Sequence, residues 1–244
     1  AIESRAGVGR RFPIAIAAGL AEPLAAHLRG VPGVERVEIA GSYRRMRETV
    51  GDIDLIAAAE EPRPLLEAFA AAPLVAEVVA VGDSKASIVT HDRIQVDLRV
   101  VPPGDWGSLL QHFTGSKDHN VAIREEAQAR GLKVSEWGVE EVETGVVHRF
   151  AEEDDLYRFL GYAPIPPELR EDGGELEAAR AGALAALVRL EDIRGDLHAH
   201  TTASDGKDTV AAMAAAAMAR GYGFLAITDH SRAVGMGMGL GAGE

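Results

Sequence analysis

The sequence predicts an α+β fold with a mixed β-sheet, followed by the first elements of an α/β unit. The clearest observation lies in residues 93–101, where apolar and polar side chains alternate strictly, as in a half-buried strand. Short apolar strands and segments of helical periodicity precede and follow this strand. Near the end of the chain a strand, a helix and a strand succeed one another at the spacing of an α/β unit.

Composition limits the class of protein. The chain has 244 residues, 47% of them hydrophobic, and a net charge of −13, which argues against a protein that coats nucleic acid. No apolar run reaches the roughly 18 residues of a membrane span, so no membrane partner is expected. Cysteine is absent, which excludes thiolate metal sites and disulfides and fits a cytoplasmic location. Any metal must therefore be bound by His, Asp or Glu.

Periodicity and turn residues place the elements of the first hundred residues. The predicted helices are 13–28, with a candidate break at Pro23, and 63–72 after a proline-rich turn. The predicted strands are 34–40, 53–58, 76–81, 87–89 and 93–101. Pro-Pro-Gly at 102–104 ends the last of these strands and predicts a domain boundary.

The second half is predicted to contain shorter elements. We expect helices at 106–113, 119–130, 152–160, 176–190 and 210–220, and strands at 133–134, 146–148, 195–197 and 224–228. The proline- and glycine-rich segment 164–175 is interpreted as an extended linker. The predicted domains are therefore 1–103, 104–169, a linker and helix at 170–192, and 193–244, the last expected to be the beginning of a larger domain.

Three aspartates are the first candidate site. Asp52 and Asp54 are two residues apart, so on a strand both side chains share a face while Ile53 and Leu55 point to the core. Asp97 lies on the polar face of the 93–101 strand. If the two strands are neighbours, three carboxylates converge, and like charges ionise together most easily around cations. Such a set suits two Mg²⁺ ions and phosphate oxygens.

A candidate phosphate-binding turn precedes these aspartates. Gly41 and Ser42 lie where a strand turns into a short helix, whose first N–H groups can bind phosphate. Arg44 or Arg45 can bind a phosphate through two hydrogen bonds. A lone Asp-x-Asp is common in loops and a lone Gly-Ser is an ordinary turn, but their combination with a third strand aspartate indicates phosphoryl or nucleotidyl transfer.

GSYRRMRETVGDIDL (41–55) and QVDLR (95–99) closely resemble the palm of the family X DNA polymerases, the polymerase beta group of the nucleotidyltransferase superfamily. The resemblance continues through HFTGSKDHN (112–120) and VAIREEAQARGLKVSEWG (121–138) and extends over most of residues 1–169. It implies a nucleotidyltransferase palm with a mixed β-sheet, then a small α+β subdomain that contacts nucleotide and template. The implied partners are dNTPs and gapped or primer-template DNA.

The resemblance also implies roles for individual residues. Asp52, Asp54 and Asp97 would bind Mg²⁺ or Mn²⁺, and Asp97 would help to deprotonate the primer 3′-hydroxyl. The implied triphosphate-binding residues are Ser42, Arg45 and Gly51, with Gly41 beside Ser42. The implied contacts to sugar, base and template strand are His112, Phe113 and Gly115 for the sugar, Lys117 and Asn120 for the base, and Arg124 for the template.

Two positions depart from the vertebrate-type pattern. His112 stands where a tyrosine is usual, at the turn that limits ribonucleotide access, so the choice between dNTPs and rNTPs stays open. Lys117 stands where those enzymes have aspartate, although the bacterial branch resembles this sequence there.

Histidines near the end of the chain form a second candidate site. In DLHAHTTASDG (196–206), His198 and His200 share a face just after a short strand and Asp205 follows, while His230 ends the next strand in ITDH. This set suits Zn²⁺ or Mn²⁺. The pattern resembles the opening motifs of the PHP domain, the polymerase and histidinol phosphatase fold. That resemblance implies an incomplete α/β barrel with phosphoesterase or 3′–5′ exonuclease chemistry.

The leading hypothesis is a monomeric bacterial DNA-directed DNA polymerase that adds dNTPs at gaps during DNA repair, such as base excision repair. One alternative is a template-independent nucleotidyltransferase, which shares the palm but which HFTGSKDHN disfavours. Another is a nuclease-only or non-catalytic protein that binds DNA ends, which the presence of all three aspartates disfavours.

Overall fold

A computed structural model describes residues 11–231, which fall into two compact units, Ala1–Leu184 and Ala185–Glu244. The division lies within the predicted linker-and-helix segment 170–192. Residues 1–10 and 232–244, the two ends of the first and last predicted domains, lie outside the described residues. Among residues 11–231, no helix combines the length and the apolarity needed to cross a bilayer.

The first unit is built on a mixed five-stranded sheet. Its N-terminal part contributes seven strands: β1 (Phe12–Pro13), β2 (Val34–Ile39), β3 (Thr49–Val50), β4 (Ile53–Ala59), β5 (Val75–Val81), β6 (Lys85–Thr90) and β7 (Gln95–Val101). The sheet order is β2-β4-β7-β6-β5, in which β4 and β7 are parallel and every other pairing is antiparallel. β1 and β3 form a separate antiparallel pair. The predicted α+β class with a mixed sheet is confirmed.

One face of the sheet packs on two helices, α1 (Ile14–Arg29) and α3 (Pro62–Ala70). Pro23 lies inside α1, so the predicted break there is wrong. A proline removes one backbone hydrogen bond, but Ala21 before it and Leu24 and Leu28 after it are all buried in the same core. Packing of the apolar face therefore outweighs the local cost of the proline.

The two faces of β4 bury different cores. Ile53 and Leu55 point towards α1 and α3, whereas Ile56 points to the opposite face. There it packs with Trp106 and Leu109 of α4 (Trp106–Thr114). Because alternate residues share a face, the Asp54 side chain lies on the α4 side of the sheet.

The rest of the first unit surrounds its own core. It contains α5 (Lys117–Gln128), α6 (Glu153–Leu160), α7 (Glu175–Ala181) and an antiparallel sheet of order β10-β9-β8, with β8 (Leu132–Ser135), β9 (Gly138–Glu141) and β10 (Val147–His148). The buried side chains of this core include Ile123, Tyr157, Ile165 and Leu176. Strand β9 was not predicted.

The segment 164–175 is not the extended linker that its composition suggested. Ile165 and Arg170 are buried within the first unit. The predicted helix 176–190 is also too long, because α7 ends at Ala181. Gly182 adopts the left-handed conformation (φ 67°) at the end of α7, a common glycine stop signal.

A largely buried ion triad connects the short helix after β2 with the core around α5, α6 and α7. Glu153 on α6 accepts hydrogen bonds from Arg44 at 2.9 Å and from Arg170. Arg44 belongs to the short helix α2 (Gly41–Arg44), which follows β2. Burial alone would raise the pKa of Glu153, but the hydrogen bond and charge of Arg170 and those of Arg44 outweigh it and lower that pKa. The triad therefore stabilises an ionised carboxylate.

The described part of the second unit is one strand–helix–strand unit, as predicted. β11 (Gly195–Ala199) and β12 (Phe224–Ile227) are parallel neighbours, and α8 (Val210–Ala219) connects them. The hydroxyl of Thr209 accepts a hydrogen bond from Ala212 N at 3.2 Å and caps α8. The incomplete α/β barrel of a PHP domain stays a prediction.

Substitution of Glu153 by glutamine should cost about 3 kcal/mol of the free energy of unfolding at neutral pH, because it leaves Arg170 as a buried charge without its counter-ion. The matched control is Glu152→Gln, which removes an exposed ion pair with Arg36 and should cost less than about 1 kcal/mol. Urea denaturation measures both.

The loss of stability in Glu153→Gln should depend on pH. Because the folded pKa of Glu153 lies below the ordinary 4.5, its ionised form stabilises the fold above that pH and this contribution is lost as pH falls through the folded pKa. The difference in the free energy of unfolding between wild type and Glu153→Gln should therefore become smaller at acid pH. If Glu153→Gln and Glu152→Gln lost the same free energy of unfolding, the assigned role of the triad would be wrong.

Candidate functional site

The parallel pairing of β4 with β7 brings two of the three aspartates together. Asp54 lies directly opposite Asp97 in the register, and Ile53 lies opposite Val96. Asp52 immediately precedes β4 and is exposed, whereas Asp54 is partly buried. The two strands on which convergence depended are therefore neighbours, and their carboxylates face the same side of the sheet.

Burial and the charges of neighbouring aspartates make Asp52 and Asp54 hard to ionise. Burial raises the pKa of Asp54 to about 7, and the charges of Asp52 and Asp97 push it in the same direction while Arg45 opposes them. The pKa of Asp52 is also raised, first by burial and then by the charge of Asp97. A positive charge among the three would relieve this repulsion.

The three carboxylates are spread more widely than the ligands of one ion. Among the described residues, the one group of three His, Asp or Glu ligand atoms that all lie within 4.8 Å of one another belongs to His200, Asp205 and His230. Two cations in a shared site are typically about 3.5–4 Å apart, so they suit a wider set of carboxylates. The oxygen donors fit Mg²⁺ or Mn²⁺.

Hydrogen bonds on the same sheet hold Asp97. The hydroxyl of Ser87, opposite Asp97 on β6, donates to Oδ1, and Gln95 Nε2 donates to Oδ2 at 2.8 Å. Asp54 and Asp97 line one side of a cavity of about 400 Å³, with Phe113 also in its wall. Asp97 is therefore a fixed carboxylate at the edge of an open cleft.

Gly41 has to be a glycine for two reasons. Its φ of 60° is in the left-handed region, and a Cβ at this position would collide with Oδ2 of Asp54. The turn from β2 into α2 thus packs its backbone directly on the carboxylate. Ser42 follows as the second residue of α2.

Two arginines border the aspartates. The charge of Arg45 partly offsets the rise in the pKa of Asp54. Its guanidinium donates to Glu171 Oε1 at 2.7 Å and to the carbonyl of Thr114. Arg11, which was not singled out from the sequence, partly offsets the rise in the pKa of Asp52 through its charge. It donates to Thr49 Oγ1 at 2.8 Å, and its guanidinium lies 3.9 Å from the position of a Cβ on Gly51.

The predicted sugar-side residues end α4. His112 and Phe113 lie in the last turn of α4, which ends at Thr114, and Gly115 follows with φ 72°. The guanidinium of Arg99 lies over the Phe113 ring, 4.9 Å from its centroid. His112 has a lowered pKa, mainly because of burial.

The predicted base- and template-side residues lie on α5, and two of them contact His112. Asn120 Nδ2 donates to the His112 carbonyl at 2.7 Å, and Arg124 lies 3.1 Å from His112 Nδ1. Lys117, the first residue of α5, is exposed. In this arrangement the side chains of Asn120 and Arg124 both contact His112.

The second unit brings three of its four predicted ligands together. His200 Nδ1 lies 2.9 Å from Asp205 Oδ1, and His230 Nε2 lies 3.5 Å from Asp205 Oδ2. His198 stands beside this group, with its Nε2 2.8 Å from His200 Nε2. Asp229, which the sequence did not single out, accepts hydrogen bonds from the loop that carries Asp205. Imidazole and carboxylate donors fit Zn²⁺ or Mn²⁺.

Comparisons with known proteins bear on the family of this chain. Residues 109–171 match the family model of the DNA polymerase beta thumb. Over 224 residues, 91% of this chain and 39% of the relative, the sequence is 42% identical to DNA polymerase/3'-5' exonuclease PolX of Bacillus subtilis (strain 168). The chain belongs to the bacterial family X DNA polymerases. It is also 32% identical over 92 residues, 37% of the chain, to 19% of the human DNA-directed DNA/RNA polymerase mu.

The family X assignment accounts for the division of the first unit. The thumb match begins within α4 and ends at Glu171, so it takes in α5, β8 to β10 and α6. The five-stranded sheet with its three aspartates precedes it. The chain spans less than half the length of both relatives.

In this family X chain, Asp54→Asn should increase stability at pH 8 in the presence of a chelator. The Asp54 pKa is about 7 in the fold against an ordinary 3.8, so folded protein retains a proton that unfolded protein releases between these values. Stability from this group therefore falls as pH rises from about 4 to about 7. Removing the charge should add about 2 kcal/mol at pH 8, less than the full shift implies because the side chain is partly solvated.

Urea denaturation at pH 4 and pH 8 tests this expectation, since the gain should disappear at pH 4. Asp83→Asn, which changes an exposed aspartate between β5 and β6, is the control and should have little effect at either pH. A variant Asp54→Asn that is less stable than wild type at pH 8 would show that the carboxylate is not under repulsion.

Proposed function

We propose that this chain contains the catalytic region of a DNA-directed DNA polymerase that adds dNTPs at gaps in DNA during repair. The observation that carries the proposal is the register of β4 and β7, which sets Asp54 opposite Asp97 with Asp52 beside them. The family X relatives support template-directed synthesis of DNA. The proposed palm is 1–103, and the subdomain that contacts nucleotide and template is 104–169.

The proposed ligands of two Mg²⁺ or Mn²⁺ ions are Asp52, Asp54 and Asp97. The raised pKa values of Asp52 and Asp54 and the repulsion among the three carboxylates support this role, because bound cations would stabilise the ionised form. When bound, the ions would supply positive charge to the reacting phosphate and to the attacking hydroxyl. The reaction is in-line attack of a primer 3′-hydroxyl on the α-phosphate, with release of pyrophosphate.

The remaining palm residues serve this reaction by position. Asp97, held by Ser87 and Gln95, accepts the proton of the 3′-hydroxyl. The triphosphate lies against the turn of Gly41 and Ser42, with Arg45 and the backbone at Gly51 as further contacts. Arg11, beside Gly51 and Asp52, adds positive charge at the same end of the site.

The corner between α4 and α5 holds the other end of the nucleotide. His112, Phe113 and Gly115 contact the sugar, with Lys117 and Asn120 near the base. For this, Asn120 must exchange its hydrogen bond to the His112 carbonyl for one to the nucleotide. Arg124 contacts the template strand after leaving His112.

A second proposed function belongs to the second unit. The cluster of His200, Asp205 and His230 supports a Zn²⁺ or Mn²⁺ site, with His198 as a further ligand. The Bacillus subtilis relative is named as a 3'-5' exonuclease as well as a polymerase. We therefore propose that this unit belongs to a PHP nuclease or phosphoesterase module. The proposed protein is a cytoplasmic monomer.

Asp97→Asn should reduce Mg²⁺- or Mn²⁺-dependent primer extension on gapped DNA by at least about 10³-fold, because it removes both a metal ligand and the proton acceptor. Asp92→Asn is the matched control, since it makes the same charge change in the exposed turn before β7. It should leave the rate within about twofold of wild type. Retained extension by Asp97→Asn would overturn the proposed site.

The same assay without template separates the alternatives, since extension of a single-stranded primer would favour a template-independent transferase. Extension with dNTPs and with rNTPs also tests whether His112 excludes ribonucleotides.

His230→Ala should remove at least one equivalent of bound Zn²⁺ from the chain, because the cluster loses one of its three close ligands. Equilibrium dialysis with Zn²⁺ measures the stoichiometry. His91→Ala changes an exposed histidine of the first unit and should not alter it. Identical Zn²⁺ binding by wild type and His230→Ala would refute the second metal site, whatever the polymerase activity.

A further inference from the structure

Glu171 forms an ion pair with the arginine that the proposed function assigns to the triphosphate. Its Oε1 accepts a hydrogen bond from Arg45 Nε at 2.7 Å, and Arg47 Nη1 lies 3.8 Å from the same oxygen. The two side chains of the Arg45–Glu171 pair are 12% and 33% exposed, so water screens their attraction less than it would on an open surface.

The turn that carries Glu171 is fixed on both sides. On one side, the side chain of Arg170 is buried and donates to the Ile165 carbonyl and to Glu153. On the other side, the Glu175 carboxylate accepts from Asp172 N at 3.0 Å and from Gly173 N at 2.7 Å. The carboxylate of Glu171 is therefore held towards Arg45 by its neighbours in the chain.

The base of this turn is itself buried. Glu175 Oε1 lies 2.6 Å from His119 Nδ1, and the opposite nitrogen of His119 lies 2.9 Å from the Tyr157 hydroxyl. All three side chains are buried. The position of Glu171 thus follows from the core of the thumb and not from a loose surface segment.

Arg45 is correspondingly engaged. Its Nε donates to Glu171 and its Nη1 to the Thr114 carbonyl, while no hydrogen bond from Nη2 is found among residues 11–231. A phosphate that binds the Nε and Nη2 side of Arg45 has to displace Glu171 from Nε. It also approaches the negative charge of Glu171.

We propose that Glu171 is a counter-ion that competes with phosphate for Arg45 and thereby sets the affinity of the triphosphate site. A triphosphate, with several charges and further contacts, displaces the carboxylate, whereas a single phosphate group does so poorly. Arg47, whose side chain is 54% exposed, stays available to Glu171 after displacement. The inference rests on the proposed role of Arg45 in binding phosphate.

Glu171→Gln tests the inference, because glutamine keeps the size and an accepting oxygen but removes the charge. The probes are inorganic tripolyphosphate and inorganic phosphate, titrated calorimetrically into the full chain with Mg²⁺ present. We expect the Kd for tripolyphosphate and the Kd for inorganic phosphate each to fall about three- to tenfold, because more of the protein has Arg45 free. Glu171→Asp, which keeps the charge, should stay closer to wild type.

Asp172→Asn is the matched control. It makes the same charge change one residue along, and among the described residues no ion pair involves Asp172. Asparagine also tolerates the left-handed backbone there (φ 58°). Its affinities should stay within about twofold of wild type. An equal gain in Asp172→Asn would mean general charge repulsion and would overturn the specific role of Glu171.

Arg45→Ala separates the two levels of the inference. If Arg45→Ala weakens tripolyphosphate binding while Glu171→Gln binds no more tightly than wild type, the phosphate role of Arg45 stands and the counter-ion role is wrong. If Arg45→Ala and wild type bind tripolyphosphate equally, the proposed role of Arg45 fails and the counter-ion role fails with it. Unfolding curves for each variant confirm that binding is compared between folded proteins.

Discussion

The parallel contact between β4 and β7 is the interaction on which the rest of the first unit depends. On one face of these strands Ile53, Leu55 and Val96 are fully buried, and on the other Asp54 faces Asp97. A slip of one residue would bury the carboxylates and expose the apolar side chains, so the hydrophobic core fixes the register. The polar face carries repulsion that the fold by itself does not remove. Burial of the apolar face therefore offsets the repulsion between the carboxylates on the other face.

Much of this site could be predicted because strand periodicity reports it directly. Aspartates at alternate positions between apolar residues define a polar face, and the alternation in 93–101 identifies the partner strand. The neighbourhood of β4 and β7 was a condition of the prediction, and the structure meets it. The corner between α4 and α5 was predicted by resemblance of its motif, not by periodicity.

Features that depend on contacts distant in sequence could not be predicted. β1 and β3 have two residues each, too few to show a period, so Arg11 gave no sign of lying near Asp52. Arg45 and Glu171 are 126 residues apart, and spacing carries no trace of such a pair. The helix predicted for 176–190 failed for a local reason, since alanine and leucine continue past Gly182 while the backbone does not. The apolar composition predicted a helix that continues to residue 190, whereas Gly182 ends it.

Helix α2 and the residue after it contact both the five-stranded sheet and the thumb of the first unit. Arg44 is bound to Glu153 on α6, its neighbour Arg45 is bound to Glu171, and Gly41 at the other end touches Asp54. Any rotation of the thumb against the sheet must either break a buried ion pair or carry this helix with it. Contacts to the thumb and contacts to a carboxylate of the sheet therefore meet on one helix of only four residues. The surroundings of Asp54 thus depend on residues that lie far away in the sequence.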